Sequence, residues 1–462
     1  MANHTKRWPV ISALGVVQIL AWGSSYYLPA VLAEPIARDT GWPLAWIVGG
    51  LSVGLLVAAA VSPRVGAAIQ RRGGRPILAL AALLLASGLT ILGLAPALPV
   101  FLTGWLVIGF GMGCGLYDPA YATLGRLYGA EARPAFTALT LLGGFASTVC
   151  WPLSAFLVAH VGWRGACLTY AALHLTVTLP LVLLAIPAAP GQALGAGGVT
   201  RPVPPLVPWQ RRAVLLMAGV LVLGGAIMAL VSVHLITLLQ ARGVGLAAAV
   251  GYGGLIGPAQ VGARLIEISG RGRHHPLWTL TAAFALVAIG LVLLAAHLPV
   301  IGLALVLYGA GNGVYSIARG TVPLALFGPD HYAGLIGRLA RPGLVAQALS
   351  PPLGAYLLTR IGPDALWGVL ALLATANLGL ICGLWRQKTR SDRVAPGGAK
   401  DQNEPGLHPE REPHAHRDAA ADPPRGISAE RLPDRPRRPR HPPRPARDPD
   451  RRDPDAPPEP GG

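Results

Sequence analysis

Residues 64–75 read Arg-Val-Gly-Ala-Ala-Ile-Gln-Arg-Arg-Gly-Gly-Arg. Four arginines and a Gly-Gly pair make a tight basic turn, and long apolar runs flank it on both sides. Such a turn joins two membrane helices on the face where positive charge collects. The stretch also has an echo. Gln260-Val-Gly-Ala-Arg-Leu-Ile-Glu267 repeats its Val-Gly-Ala core 196 positions on, and Gly111-Met-Gly-Cys-Gly-Leu-Tyr-Asp118 recurs 198 positions on as Gly309-Ala-Gly-Asn-Gly-Val-Tyr-Ser316. Two matches at nearly one offset point to a duplicated unit, a construction common in transporters.

Composition agrees. Of 462 residues, 52% are hydrophobic and only 13% charged, where a soluble domain carries roughly 25% charged residues. That excludes a soluble enzyme and a nucleic-acid binder. The net charge of +17 sits wholly in the first 390 residues, which hold 24 basic residues against seven acids. Basic residues that interrupt apolar runs follow the positive-inside rule. The four cysteines, Cys114, Cys150, Cys167 and Cys382, form no CxxC pair, so neither a disulfide framework nor a metal site is expected; no cofactor is expected either.

Runs of about 20 apolar residues suffice to cross a bilayer. They fall at 10–33, 44–69, 77–96, 98–124, 135–159 and 165–188, then at 213–239, 246–268, 276–296, 299–325, 333–359 and 363–385. The first run is too long for a signal-peptide core of ~7–15 residues and is read as a retained helix. The expected fold is an all-α polytopic membrane protein of twelve transmembrane helices in two pseudo-symmetric six-helix bundles. Residues 1–188 form the first bundle, 189–212 a Gly/Pro-rich cytoplasmic linker, 213–390 the second bundle, and 391–462 a Pro-, Arg- and Asp-rich tail. The tail holds 17 of the 44 prolines and few large apolar residues, a composition expected to stay disordered. Arg71, Arg72, Arg75, Arg126, Arg133, Arg201, Arg211, Arg212, Arg271 and Arg273 share one side if both termini are cytoplasmic. A multi-pass protein of the inner (plasma) membrane, monomeric in the bilayer, follows as the expectation.

The loop after the second span resembles the major facilitator superfamily signature G-x-x-x-D-R/K-x-G-x-R/K. Gly66, Arg71, Gly73 and Arg75 match it, while Gln70 stands where the family has Asp. The resemblance implies twelve helices, a central binding site and alternating access. Physically, Gly66 lets two helices approach closely, and Arg71 and Arg75 can bind carbonyl ends of helices. Gln70 can hydrogen-bond but cannot form the salt bridge an Asp would, so this gating loop is expected to latch more weakly. Ala37-Arg-Asp-Thr-Gly-Trp42 and Gly162-Trp-Arg164 look like a bacterial subgroup of monocarboxylate-type porters. That implies organic-anion transport or, alternatively, export of drugs or trivalent metalloids.

A charge inside a bilayer costs at least ~2.5–3.5 kcal/mol and is a functional candidate by default. Asp118, flanked by Tyr117 and Tyr121, and Arg319, near Asn312 and Tyr315, lie on helices that face a common axis in the family fold. By the sequence match Arg319 falls opposite Tyr121. Asp118 is a candidate proton site; Arg319 either holds an anionic substrate or pairs with Asp118. Gln260, Arg264 and Glu267 share one face of the eighth span; Glu267 either carries protons or pairs with Arg264. Tyr26 and Tyr27 offer aromatic, polar contacts suited to a ligand pocket or to interfacial anchoring. His234 is either a relay imidazole or a packing residue. Without a GxxxxGK[ST] loop, ATP is not the expected energy source. The sequence therefore reads as a secondary transporter of a small solute, driven by protons, not an enzyme. The alternative from another class is a transporter-like sensor or scaffold acting through the tail.

Overall fold

The computed structural model describes residues 7–188, 205–270 and 274–394. Most of the expected linker, the tail beyond Val394, and Arg201, Arg271 and Arg273 lie outside the described residues. Every regular element among them is helical. Among the described residues six continuous helical stretches are long and apolar enough to cross a membrane, and two of them, Leu98–Ala185 and Ile301–Thr389, are composites. Their spans are separated at the 3-10 turn Gly129–Ala132 and at Gly162, Gly328 and Gly362, the last three with φ values of 69°, 74° and 80° that end one helix before the next begins. Glycine takes that conformation without the steric cost of a Cβ. Pro329 and Pro363 then open the following helices, where a missing N–H removes nothing.

With these breaks counted, the spans are α1 (Arg7–Gly23 and Pro29–Thr40), α2 (Leu44–Arg72), α3 (Arg75–Leu94), α4 (Leu98–Gly115 and Tyr117–Tyr128), α5 (Arg133–Gly143 and 146–161) and α6 (163–185, with a π-turn at His174–Thr178). The second half supplies α7 (Pro208–Gln240), α8 (Leu246–Gly254 and Ile256–Ser269), α9 (Pro276–Ala295), α10 (301–327), α11 (329–361) and α12 (363–394). The run expected as one helix over 10–33 is interrupted at residues 24–28, and α7 begins at Pro208, ahead of the expected 213.

These helices have apolar residues on all sides. In α3, Leu78, Leu85, Leu89 and Leu92 are buried, while Leu80 and Leu83 on the opposite face are 43% and 44% exposed. A solvated helix would carry polar residues there; a lipid-facing one need not. Each half has its own core. Phe101, Trp105, Cys167 and Tyr170 centre the first, and Phe284, Leu291, Trp367 and Leu370 the second. All four cysteines are free thiols, three of them buried.

The halves pack alike through interleaved glycines. In α4, Gly109 and Gly113 lie against Gly54 and Ala58 of α2, and Gly111 against Leu85 of α3. In α10, Gly309 and Gly313 lie against Ile256 and Gln260 of α8, and Gly311 against Ala283 of α9. The packing thus matches Gly109 to Gly309, two residues out from the sequence match. A glycine at every second position makes that slip invisible in sequence. In the packing register Arg319 corresponds to Pro119 rather than Tyr121, and so to the neighbour of Asp118.

Candidate functional site

Polar contacts between the halves gather at one end, the end that carries the basic loops. The centre of this group is Asp118 and Arg319. A single guanidinium nitrogen of Arg319 reaches both Asp118 oxygens, at 2.7 and 2.8 Å, with side chains only 15% and 13% exposed. Pseudo-symmetry explains the meeting: residues at nearly equivalent positions of α4 and α10 face each other where the two helices cross. Beside them Tyr121 donates its hydroxyl to the Ser316 carbonyl at 2.9 Å, and Phe136 stacks on Tyr332 of α11 at 5.5 Å.

Closer to the loops, Glu267 of α8 lies 3.5 Å from Arg133 of α5 and 3.5 Å from His274, and accepts the Thr279 hydroxyl at 2.8 Å. Arg133 also donates to the His274 carbonyl at 2.6 Å. The alternative pairing of Glu267 with Arg264 is not made. One helical turn separates the two along α8, and Arg264 turns into the interior while Glu267 faces the loop.

Gly66, the first residue of the gating loop, sits at a crossing of α2 and α11. A Cβ there would stand 2.6 Å from the Ala333 carbonyl oxygen and 3.1 Å from the Gly337 Cα, and Ser62 donates to the Gly337 carbonyl at 2.9 Å. Gln70 donates to the Asp330 carbonyl at 3.0 Å. Gly73 ends α2 at φ 81°, its N–H bonded to the Ile69 carbonyl. The carbonyl of Gln70 is bonded by Arg126, a role expected for Arg71 and Arg75. Arg126 comes from α4 across the turn and approaches the α2 carbonyl end from the side, whereas Arg71 points outward.

The opposite end is tied differently. Trp163 donates to Asp39 at 2.8 Å, and Arg164 donates to the Gly93 and Ala95 carbonyls at the end of α3. In the second half Arg242 bonds the Leu294 carbonyl at the end of α9 and lies over the Trp367 ring. Each contact stays within one half.

Between the ends lies an aromatic cluster. Trp22 contacts Tyr26, Tyr27 and Tyr117 with ring centroids 5.2, 6.0 and 5.1 Å away, and Tyr117 stacks on Tyr121 at 5.6 Å. Gln18 fixes Trp22, accepting its indole N–H at 3.1 Å while donating to the Gly115 carbonyl at 2.7 Å. Arg264 borders this cluster. It is 5% exposed and donates to the Gly313 and Thr140 carbonyls at 3.2 Å each and to the Gln260 side-chain oxygen at 3.4 Å. Gly144, in the break between the two pieces of α5, leaves the guanidinium its space. All three partners are neutral oxygens.

The Major Facilitator Superfamily model matches residues 14–337. The chain belongs to that superfamily. It is 32% identical over 393 residues to human monocarboxylate transporter 11, an alignment covering 77% of this chain and 78% of that one. The crystal structure of the human organic anion transporter MFSD10 (TETRAN) superposes with a TM-score of 0.64 at 18% identity, over 81% of this chain and 99% of that chain. The E. coli fucose:proton symporter FucP gives 0.61 at 17% identity, over 81% and 98%. At these identities the two structures establish the fold alone. This facilitator is therefore a membrane transporter, not an enzyme, and the resemblance carried by Gly66, Arg71, Gly73 and Arg75 holds.

The remaining candidates scatter in the facilitator. Tyr315 turns into the second core, edge-on to Phe284 at 5.0 Å. His234 bonds the Pro351 carbonyl at 3.0 Å, and Gly354 gives it room, as for a packing residue. Asn312 is half-buried. Sequence reasoning passed over Thr140 and Gly144, which frame Arg264 from the other half, and Arg133, which closes on Glu267. It also passed over His174, buried in the π-turn of α6 and bonded to Ser24 at the break in α1, 2.7 Å away. A lone histidine in an apolar run carries no periodic signal, and Pro29, which restarts α1 after its break, gives no sign of what the break faces.

Proposed function

We propose that the protein is a secondary transporter that moves a small organic anion by alternating access, coupled to protons. Arg264 carries the reading. A guanidinium buried among neutral oxygens, with no carboxylate partner among the described residues, is an expensive arrangement, and an incoming carboxylate would complete it through charge-assisted hydrogen bonds. Tyr26, Tyr27, Tyr117 and Gln260 supply the apolar walls and placed polar groups of such a pocket. The human monocarboxylate transporter among its relatives supports the same substrate class.

Asp118 and Arg319 act as the latch. They close the basic end between the halves, so opening that end must part them. Protonating Asp118 removes its charge and weakens both bonds, which gives protons a hold on the conformational equilibrium. Glu267 with Arg133 forms a second tie nearer the loops. The basic end is placed in the cytoplasm of a cell whose inner (plasma) membrane holds the protein, both termini included.

Uptake into proteoliposomes tests this. A panel of labelled short carboxylates and neutral sugars of similar size is offered with and without an imposed pH gradient. The expected result is gradient-stimulated movement of a carboxylate, lost in Arg264→Gln, with Asp118→Asn removing the response to the gradient. Equal transport of a neutral sugar with Arg264→Gln unimpaired would overturn the anion assignment. Gradient-driven transport retained in Asp118→Asn would remove the coupling role.

A further inference from the structure

On the outer side of the α2–α11 crossing lies an open groove of about 580 Å³ lined by Arg64, Arg71, Arg338 and Arg341, with small residues between them. All four arginines are exposed, and among the described residues none makes an ion pair or a side-chain hydrogen bond. Two of them stand well inside the helices. Arg64 precedes the end of α2 at Arg72 by eight residues, about 12 Å of helix, and Arg341 follows the start of α11 by twelve, about 18 Å. Arginine at such depth, facing outward and without a counter-ion, is costly in lipid. The same two faces become apolar farther from the loops, where Leu56 and Leu349 are 40% and 52% exposed. The surface is thus basic below and apolar above, the pattern of a phospholipid.

We propose that this groove binds the phosphate headgroup of an anionic phospholipid in the leaflet at the basic end, its acyl chains running along Leu56 and Leu349. The lipid phosphate supplies the negative charge that no described residue supplies, as in basic pockets between membrane helices elsewhere. The apolar continuation selects a lipid over free phosphate. Two arginines come from each half, and the groove overlies the Gly66–Gly337 crossing, so the bound lipid bridges the halves.

Native mass spectrometry of the full chain in detergent tests the proposal, with dioleoyl phosphatidylglycerol or dioleoyl phosphatidylcholine added at equal concentration. The expected result is one tightly retained phosphatidylglycerol. The triple variant Arg64→Gln/Arg338→Gln/Arg341→Gln lowers its affinity on the order of a hundred-fold, at about five-fold per arginine near an anionic surface. Arg72→Gln, exposed but outside the groove, retains the lipid as the parent does. If the triple variant fails to fold, Arg64→Gln alone is expected to lose about five-fold. Equal retention of the two lipids, or unchanged retention in the variants, overturns the proposal. Displacement of phosphatidylglycerol by millimolar inorganic phosphate assigns the groove to a soluble anion and overturns the lipid.

Discussion

Arg319 and Arg264 are both buried arginines on helices that meet the opposite half, yet they are satisfied in opposite ways. Arg319 is neutralised by both oxygens of Asp118. Arg264 has two backbone carbonyls and an amide oxygen. A charge that already has its partner holds structure together; a charge supplied only with dipoles is prepared for a partner that arrives. The two should therefore fail differently when altered. Removing a partner from a buried ion pair leaves an uncompensated charge and costs about 3–5 kcal/mol. Asp118→Ala should lower stability by that amount, read as thermal unfolding in detergent. The double variant Asp118→Asn/Arg319→Gln, which leaves no bare charge, should recover most of the loss. Equal losses in the single and double variants would show that the pair matters for shape and not for charge.

Arg264→Gln sharpens the contrast. Removing a cation that has no anion among the described residues should leave thermal stability within about 1 kcal/mol. Carboxylate transport should fall on the order of a hundred-fold, the worth of charge-assisted hydrogen bonds of about 1.5–3 kcal/mol in a dry site. A large drop in stability would make Arg264 a structural residue like Arg319 and end the distinction. A third test acts on backbone approach. Gly66→Ala places a methyl group 2.6 Å from the Ala333 carbonyl, which costs about 1–3 kcal/mol as overpacking. That cost falls only on the state in which α2 and α11 touch. Cysteine-accessibility labelling at the basic end should increase in this variant, while Gly334→Ala, at a position with open space around it, should change nothing.

Much of this architecture is legible in sequence because membrane helices announce themselves by length and hydropathy. The glycines of the basic turn and of α4 and α10 do so by composition. The pairing of Asp118 with Arg319 was open as one of two readings; the duplication put both on the axis, although the glycine repeat hid the true register by two residues. What did not show were contacts made by the backbone. Thr140 and Gly313 hold Arg264 through carbonyl oxygens that every residue type possesses, and Gly144 contributes only the volume it does not fill. Arg338 and Arg341 were unremarked for another reason: they sit within an expected span, and only the fold reveals that they share a groove with Arg64 and Arg71.

The smallest effects separate the two ends of the molecule. At the basic end Gln70 donates across the halves to the Asp330 carbonyl; at the other end Asp39 accepts from Trp163 and lies 4.0 Å from Arg164 within a single half. Gln70→Ala removes one neutral hydrogen bond, about 0.5–1.5 kcal/mol, and because that bond spans the crossing the loss should appear as easier opening of the basic end. Asp39→Ala removes a pair that is about half exposed and screened, about 0.2–1 kcal/mol. Its loss should lower the stability of the first half and leave accessibility at the basic end unchanged. If Asp39→Ala shifted that accessibility as far as Gln70→Ala, the far end would also carry ties between the halves, and the division of labour between the two ends would fall.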